Sequence, residues 1–286
     1  MTSLLKDAYD MHVHPAPDVV ARKQDDVELA KDYVAAGMKG FVIKSHYFNT
    51  EGRAYHLRKQ FPGFNAVGAL VLNNSVGGLN PYAVQQAGNL GTKMLFMPTM
   101  DAQNMWDYLA ASKEAVPFGS NAKSAREVCA IQVCKNGILD PAVENILDLV
   151  KQHDMVLCTG HISPSESLAL LKRAHEKGLK KLVTTHVEWR PTHATAEQME
   201  QYIKYGAFLE FNVANIMNGT ITVKKLVEHI KDFGAEHVFI STDLGQAINP
   251  APVKCFEEYI NKLIAAGITK SEMHKMIVEN PAYLVE

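Results

Sequence analysis

"DFGAEHVFISTD", residues 232–243, contains the unit from which the chain is built. A helix-like polar stretch ends at Gly234, a short apolar run follows, and the run stops on an acidic residue. The same order recurs in "AAGMKGFVIKSH" (35–46), "NLGTKMLFMPT" (89–99), "EKGLKKLVTTH" (176–186) and "KYGAFLEFN" (204–212). Gly37, Gly91, Gly178, Gly206 and Gly234 each fall where a helix would finish in the left-handed conformation that glycine adopts cheaply. The apolar runs are nearly continuous, which suits strands buried on both faces of a parallel sheet.

The segments between the runs carry helix-start signals. Ser163, Pro164 and Glu166 form a capping box with proline at the first helical position. Thr195 and Gln198 repeat the box, and Asp140-Pro141 opens a helix whose Val143, Ile146, Leu147 and Val150 fall on one stripe. Eight strands are predicted, near 8–14, 40–46, 66–72, 93–98, 155–160, 181–185, 207–211 and 237–242. Eight strands alternating with helices predict an α/β fold, a (β/α)8 TIM barrel formed by residues 1–286 as one domain. The alternative, a doubly wound open sheet, lacks the glycine-rich loop expected after its first strand. Residues 101–139 interrupt the alternation after strand four. They contain an amphipathic piece, a loop, and "CAIQVCKNGIL", which predicts a hairpin turning at Asn136-Gly137. At the catalytic end of a barrel this insertion would serve as a lid.

Charged residues are 21% and apolar residues 47% of the 286, an ordinary globular balance. A net charge of -2 without a basic block gives nucleic acid and anionic membranes no handle. No apolar run approaches the roughly 20 residues of a membrane helix. The opening "MTSLLKDAYD" lacks a signal-peptide pattern, so a cytoplasmic protein is expected. Cys129, Cys134, Cys158 and Cys255 form no Cys-x-x-Cys pair and are expected as reduced, structural thiols. A homo-oligomer is compatible with all of this.

All strands of such a barrel end at one mouth, where chemistry gathers. The polar residues at the predicted ends are His12 and His14, Lys44 and His46, Asn73, Thr99, His161, His186, Asn212 and Asp243. His12 and His14, two apart in a strand, point to the same face. Lys44 interrupts an apolar run, where a charged amine is costly unless paired or functional, and His46 shares its face. The bland alternatives are loop histidines for His12 and His14, and a helix cap for Asp243.

This pattern resembles the amidohydrolase superfamily, an uncharacterised amidohydrolase-like subgroup of it. The residues that carry the resemblance are "DMHVH" (10–14), "CTGHIS" (158–163), "VTTHVE" (183–188), "STDLGQ" (241–246) and the closing "VENPAYLV" (278–285). It implies a divalent metal held by His12, His14, His161, His186 and Asp243. Zinc is the expected ion, with manganese or iron as alternatives, as one or two ions. It also implies a hydrolase acting on a C–N or C–O bond of a small amide, lactone or ester. Asp243 would move protons in that reaction, and Lys44 and His46 would act on the substrate. Two-metal members carry a lysine or glutamate after strand four; Thr99 stands there, so one ion is at least as well supported as two. Lys44 and Lys135 are the candidates for the missing bridge, and Lys135, beside Asn-Gly, is expected on an exposed turn.

His56, His153, His175, His229, His237 and His274 lie in charged helical contexts and read as surface residues. His193 reads as a loop residue, and Trp106 with its neighbouring methionines as packing. Three rival functions remain open. Lys44 could be the nucleophile of a Schiff-base lyase or aldolase, its neutral amine favoured by burial. A metal-dependent phosphoesterase would also open with His-x-His, although "STDLGQ" lacks the Asp-x-His ending. A non-catalytic metal-binding barrel is the third.

Overall fold

The computed structural model describes residues 4–112 and 130–286. Cys129 and the 113–129 part of the insertion, including whatever would serve as a lid there, lie outside the described residues.

The strands are β1 (Tyr9–Val13), β2 (Gly40–Ile43), β3 (Asn65–Val71), β4 (Met94–Phe96), β5 (Cys134–Lys135), β6 (Ile138–Leu139), β7 (Val156–Cys158), β8 (Leu182–Thr184), β9 (Ala207–Asn212) and β10 (Val238–Ser241). Eight of them form one sheet in the order β1-β2-β3-β4-β7-β8-β9-β10. Parallel strands in chain order, alternating with helices, make a (β/α)8 barrel. The strands fall where the glycine-punctuated apolar runs predict them. β5 and β6 are the antiparallel hairpin, with Asn136 (φ 52°) and Gly137 (φ 79°) supplying the two left-handed residues of its turn.

Two compact units carry these elements. The first comprises Met1–Ser45, Thr50–Ala69 and Phe208–Glu286. Every residue of β1 and β2 is buried; β2 is the continuous apolar run that such burial suits, whereas β1 also buries Asp10 and His12. Their neighbour β3 comes so close that a Cβ on Gly40 would stand 2.0 Å from the Asn65 carbonyl oxygen, which explains the glycine. Backbone bonds at the strand ends then bring functional residues into place. His14 N donates to Leu244 O (2.8 Å), Lys44 N to Val13 O (2.9 Å), and Asp243 N to His12 O (2.8 Å).

The second unit comprises His46–Asn49 and Leu70–Ala207. Its helices start as the sequence predicts. Asp140 caps Pro141–Gln152, and the boxes Ser163/Glu166 and Thr195/Gln198 open Pro164–Glu176 and Ala196–Lys204. Val143, Ile146, Leu147 and Val150 are all buried; truncating one of the larger ones to alanine would cost about 2–5 kcal/mol. Trp106 and Met105 pack inside this unit. Lys135 is exposed, as expected, though it closes β5 just before the Asn136-Gly137 turn rather than lying on it.

Three of the histidines read as surface residues are instead half-buried. His153 lies where a Cβ on Gly88 would meet it at 2.4 Å, and it pairs with Gln85 at 2.8 Å. His229 packs between the rings of Phe211 and Phe233, at 6.3 and 5.8 Å. His237 ends a short 3-10 turn before β10. His56, His175, His193 and His274 are exposed.

Candidate metal centre

Two polar clusters are built, one in each unit. In the first, β1 sets the His12 and His14 rings 5.1 Å apart, centroid to centroid. Nε2 of His12 and Nε2 of His14 each lie 3.3 Å from the same oxygen, Oδ1 of Asp243. The candidate ligand atoms of these three residues all fall within 4.8 Å of one another. Asp243 is no helix cap: the next helix begins at Pro252, and Asp243 itself is left-handed, with φ 51°. A non-glycine residue in that conformation stores strain, which folds retain mainly at functional positions.

Behind the ligand atoms stands a carboxylate that the motif reading missed. Oε1 of Glu210 lies 2.8 Å from Nδ1 of His12 and accepts a bond from Ser241 Oγ at 2.7 Å, which in turn accepts one from Asn212 Nδ2 at 2.8 Å. A glutamate inside the apolar strand "AFLEFN" was its only signal. Asp10 is a second buried carboxylate, accepting from Tyr33 Oη (2.6 Å) and Thr242 N (2.9 Å). Burial pushes its pKa up to about 6, against the hydrogen bonds from Thr242 and Tyr33.

Lys44 is fully buried, with Nζ 2.9 Å from Nε2 of His12. His14 has its pKa lowered, chiefly by burial, with Arg22 and Lys44 adding to that and the Asp243 hydrogen bond opposing it. Burial thus favours the neutral imidazole, the form that can offer a lone pair.

The donor set fits a divalent metal. Two imidazoles and one carboxylate converge, and Glu210 fixes the orientation of His12 from behind. Zinc and iron both accept two histidines and a carboxylate, with positions left for water or substrate.

The second unit gathers His46, His161 and His186, all buried. The ring of His161 is 5.8 Å from His46, 5.3 Å from His186 and 4.8 Å from Trp189. Nδ1 of His46 meets Thr99 Oγ1 at 2.8 Å, and Asn73 braces both by donating to Thr99 Oγ1 (2.7 Å) and to the His46 carbonyl (3.0 Å). Thr99 is thus a support for His46. His186, like Asp243, is left-handed (φ 55°), and its carbonyl accepts from Thr192 Oγ1 at 2.7 Å. Asn104, from the insertion, donates to the His161 carbonyl at 3.0 Å.

No helix among the described residues is long and apolar enough to cross a membrane. The fold is shared with solved structures at low identity. An amidohydrolase from Pseudomonas aeruginosa superposes with TM-score 0.68 at 10% identity, covering 99% of this chain and 97% of that one. A TatD homologue from Escherichia coli K12 gives 0.59 at 15%, covering 100% and 99%. An organophosphorus hydrolase from Deinococcus radiodurans gives 0.60 at 13%, covering 100% and 94%. The resemblance to amidohydrolase-type barrels therefore holds at the level of the fold. No curated protein matches the sequence. One family model does match, over residues 7–210, a segment that includes both β1 histidines, Lys44 and Glu210 and stops short of Asp243. With more than half its length matched, the chain belongs to the family of unknown function DUF6282.

Proposed function

We propose that the protein is a metal-dependent hydrolase acting on a C–N or C–O bond of a small amide, lactone or ester. The observation that carries this reading is the shared approach of His12 Nε2 and His14 Nε2 to Asp243 Oδ1, 3.3 Å each. A bound divalent ion, zinc or alternatively manganese or iron, as one or two ions, would supply Lewis acidity and acidify a water. His12 and His14 would hold it through Nε2. Asp243 would hold it through Oδ1, accept a proton and return it to the leaving group. Lys44, in contact with His12, would act on substrate or, if modified, as a further ligand. The sequence pattern extends the ligand set to His161 and His186 and assigns His46 to the substrate; these assignments rest on that pattern. The barrels that superpose, named an amidohydrolase and an organophosphorus hydrolase, support hydrolysis as the reaction without distinguishing a C–N or C–O bond from a phosphoester.

Elemental analysis of the purified protein, with a substrate screen over lactones, amides, esters and cyclic imides, tests the reading. Stoichiometric metal that is lost in the His12→Ala/His14→Ala double variant, with the fold intact, is expected. Full metal occupancy in that variant would overturn the site.

One observation favours a second reading. Lys44 is wholly buried with its Nζ against an imidazole nitrogen, a setting that suits a Schiff-base amine. Borohydride trapping of a carbonyl substrate on Lys44, with activity intact after chelation, would support that reading over hydrolysis.

A further inference from the structure

Arg22 is a charged side chain that the metal centre does not use. It lies in the loop after β1, yet its side chain is only 3% exposed. Asp18, whose side chain is 0% exposed, holds it by one edge: Nε and Nη2 both donate to Oδ2, at 2.8 and 2.6 Å. Oδ1 of Asp18 is fixed in turn by Val19 N (2.7 Å) and Ser45 Oγ (3.2 Å), the latter next in sequence to Lys44. The guanidinium is thus rigid, and its orientation is set from behind.

The other edge is uncommitted. Nη1 makes no hydrogen bond among the described residues, and it is not one of the fully enclosed polar atoms. Backbone contacts tie the segment that carries this side chain to the residues just after the candidate ligand Asp243. Arg22 bridges to Gln246, and Lys23 N donates to Gly245 O at 2.7 Å. Gly245 presses on His14 so closely that a Cβ there would stand 2.1 Å from the His14 carbonyl oxygen. The segment carrying Arg22 is therefore laced to the residues that follow Asp243 and pack on His14.

A buried guanidinium with one edge anchored and one edge open is a two-pronged receptor for a planar anion. We propose that Arg22 binds a carboxylate on the substrate, so that the molecule hydrolysed at the candidate metal centre is an anionic one, a carboxylate-bearing amide, lactone or ester. This rests on the hydrolase reading for what happens next, though the anion site itself is defined by Arg22 and Asp18. The bond formed is a pair of charge-assisted hydrogen bonds, and nothing is transferred.

The test is calorimetric binding of benzoate and of benzamide, its uncharged counterpart, with metal content measured on the same samples. Wild-type protein should prefer benzoate. Arg22→Gln should weaken benzoate by about tenfold or more and leave benzamide unchanged. Because that variant leaves Asp18 buried without its partner, Asp18→Asn/Arg22→Gln is the companion: it restores a neutral hydrogen-bonded pair and should lose benzoate to the same degree. Benzoate binding that is undiminished in a folded companion, or no preference for the anion in wild type, would overturn the inference. Metal-free protein that binds benzoate through Arg22 would uphold the anion site while overturning the metal reading. Metal-loaded protein indifferent to Arg22 would do the reverse.

Discussion

Glu210 Oε1 lies 2.8 Å from Nδ1 of His12, and both side chains are sealed from solvent. The contact fixes the imidazole: a proton held on Nδ1 for the carboxylate leaves the Nε2 lone pair aimed at Asp243 and Lys44. Ser241 holds the same Glu210 oxygen, so the acceptor cannot swing away.

Glu210→Gln should therefore keep the fold and lower metal affinity by about ten- to a hundredfold. Competitive titration against a chromogenic chelator measures this. Wild-type affinity in the variant would mean that Glu210 serves β9 alone.

Asp243→Asn keeps the shape of the side chain and removes its basicity. Metal should be partly retained, while kcat falls by about a hundredfold or more, the ordinary size of a general acid–base contribution. Turnover and metal content on one sample decide it, and undiminished kcat would remove Asp243 from the chemistry.

Lys44→Met removes an amine from a fully buried position. Turnover should drop by well over about tenfold, with the denaturation midpoint little changed, because an apolar chain replaces a group whose desolvation was unfavourable. Wild-type turnover would make Lys44 a structural residue.

Far from the centre, Glu272 is held at a pKa of about 2, below its ordinary 4.5, mainly by the hydrogen bond from Lys231 and then by the backbone of Thr269. A carboxylate depressed in the folded state favours folding above its unfolded pKa. That contribution is present at pH 7 and fades as the pH falls from about 4.5 toward 2. Glu272→Gln should cost about 1 kcal/mol or less at pH 7, as befits a surface pair, and distinctly less near pH 2, where the carboxylate is about half protonated. Denaturant melts at the two pH values would register the difference; an equal loss at both would assign the effect to the cap instead.

What could be read from the sequence follows from what has a period. Buried parallel strands announce themselves as apolar runs, mostly after glycine, and the candidate residues stand at their ends, so the eight barrel strands and His12, His14, Lys44 and Asp243 were visible, while the β5-β6 hairpin showed through its Asn-Gly turn. Glu210 was hidden because it sits within a run, not at its end, and an isolated acid in a strand resembles an exposed face. Arg22 was hidden because the loop after β1 has no periodicity: "PDVVARK" carries no sign that Asp18 folds back on Arg22. His229 was misread because an amphipathic helix fixes which residues face the core more sharply than where its boundary stripe lies.

The cluster in the first unit joins residues from opposite ends of the chain: His12 and His14 on one side, Glu210 and Asp243 on the other. On a ribosome adding about 5–20 residues per second, the histidines wait on the order of ten to fifty seconds for their carboxylates. Until then, the nascent chain carries two imidazoles without Glu210 to orient them or Asp243 to complete the set. Metal loading at the proposed centre would thereby be a late event in biosynthesis, with the helix Pro252–Ala265 and those after it still to follow Asp243.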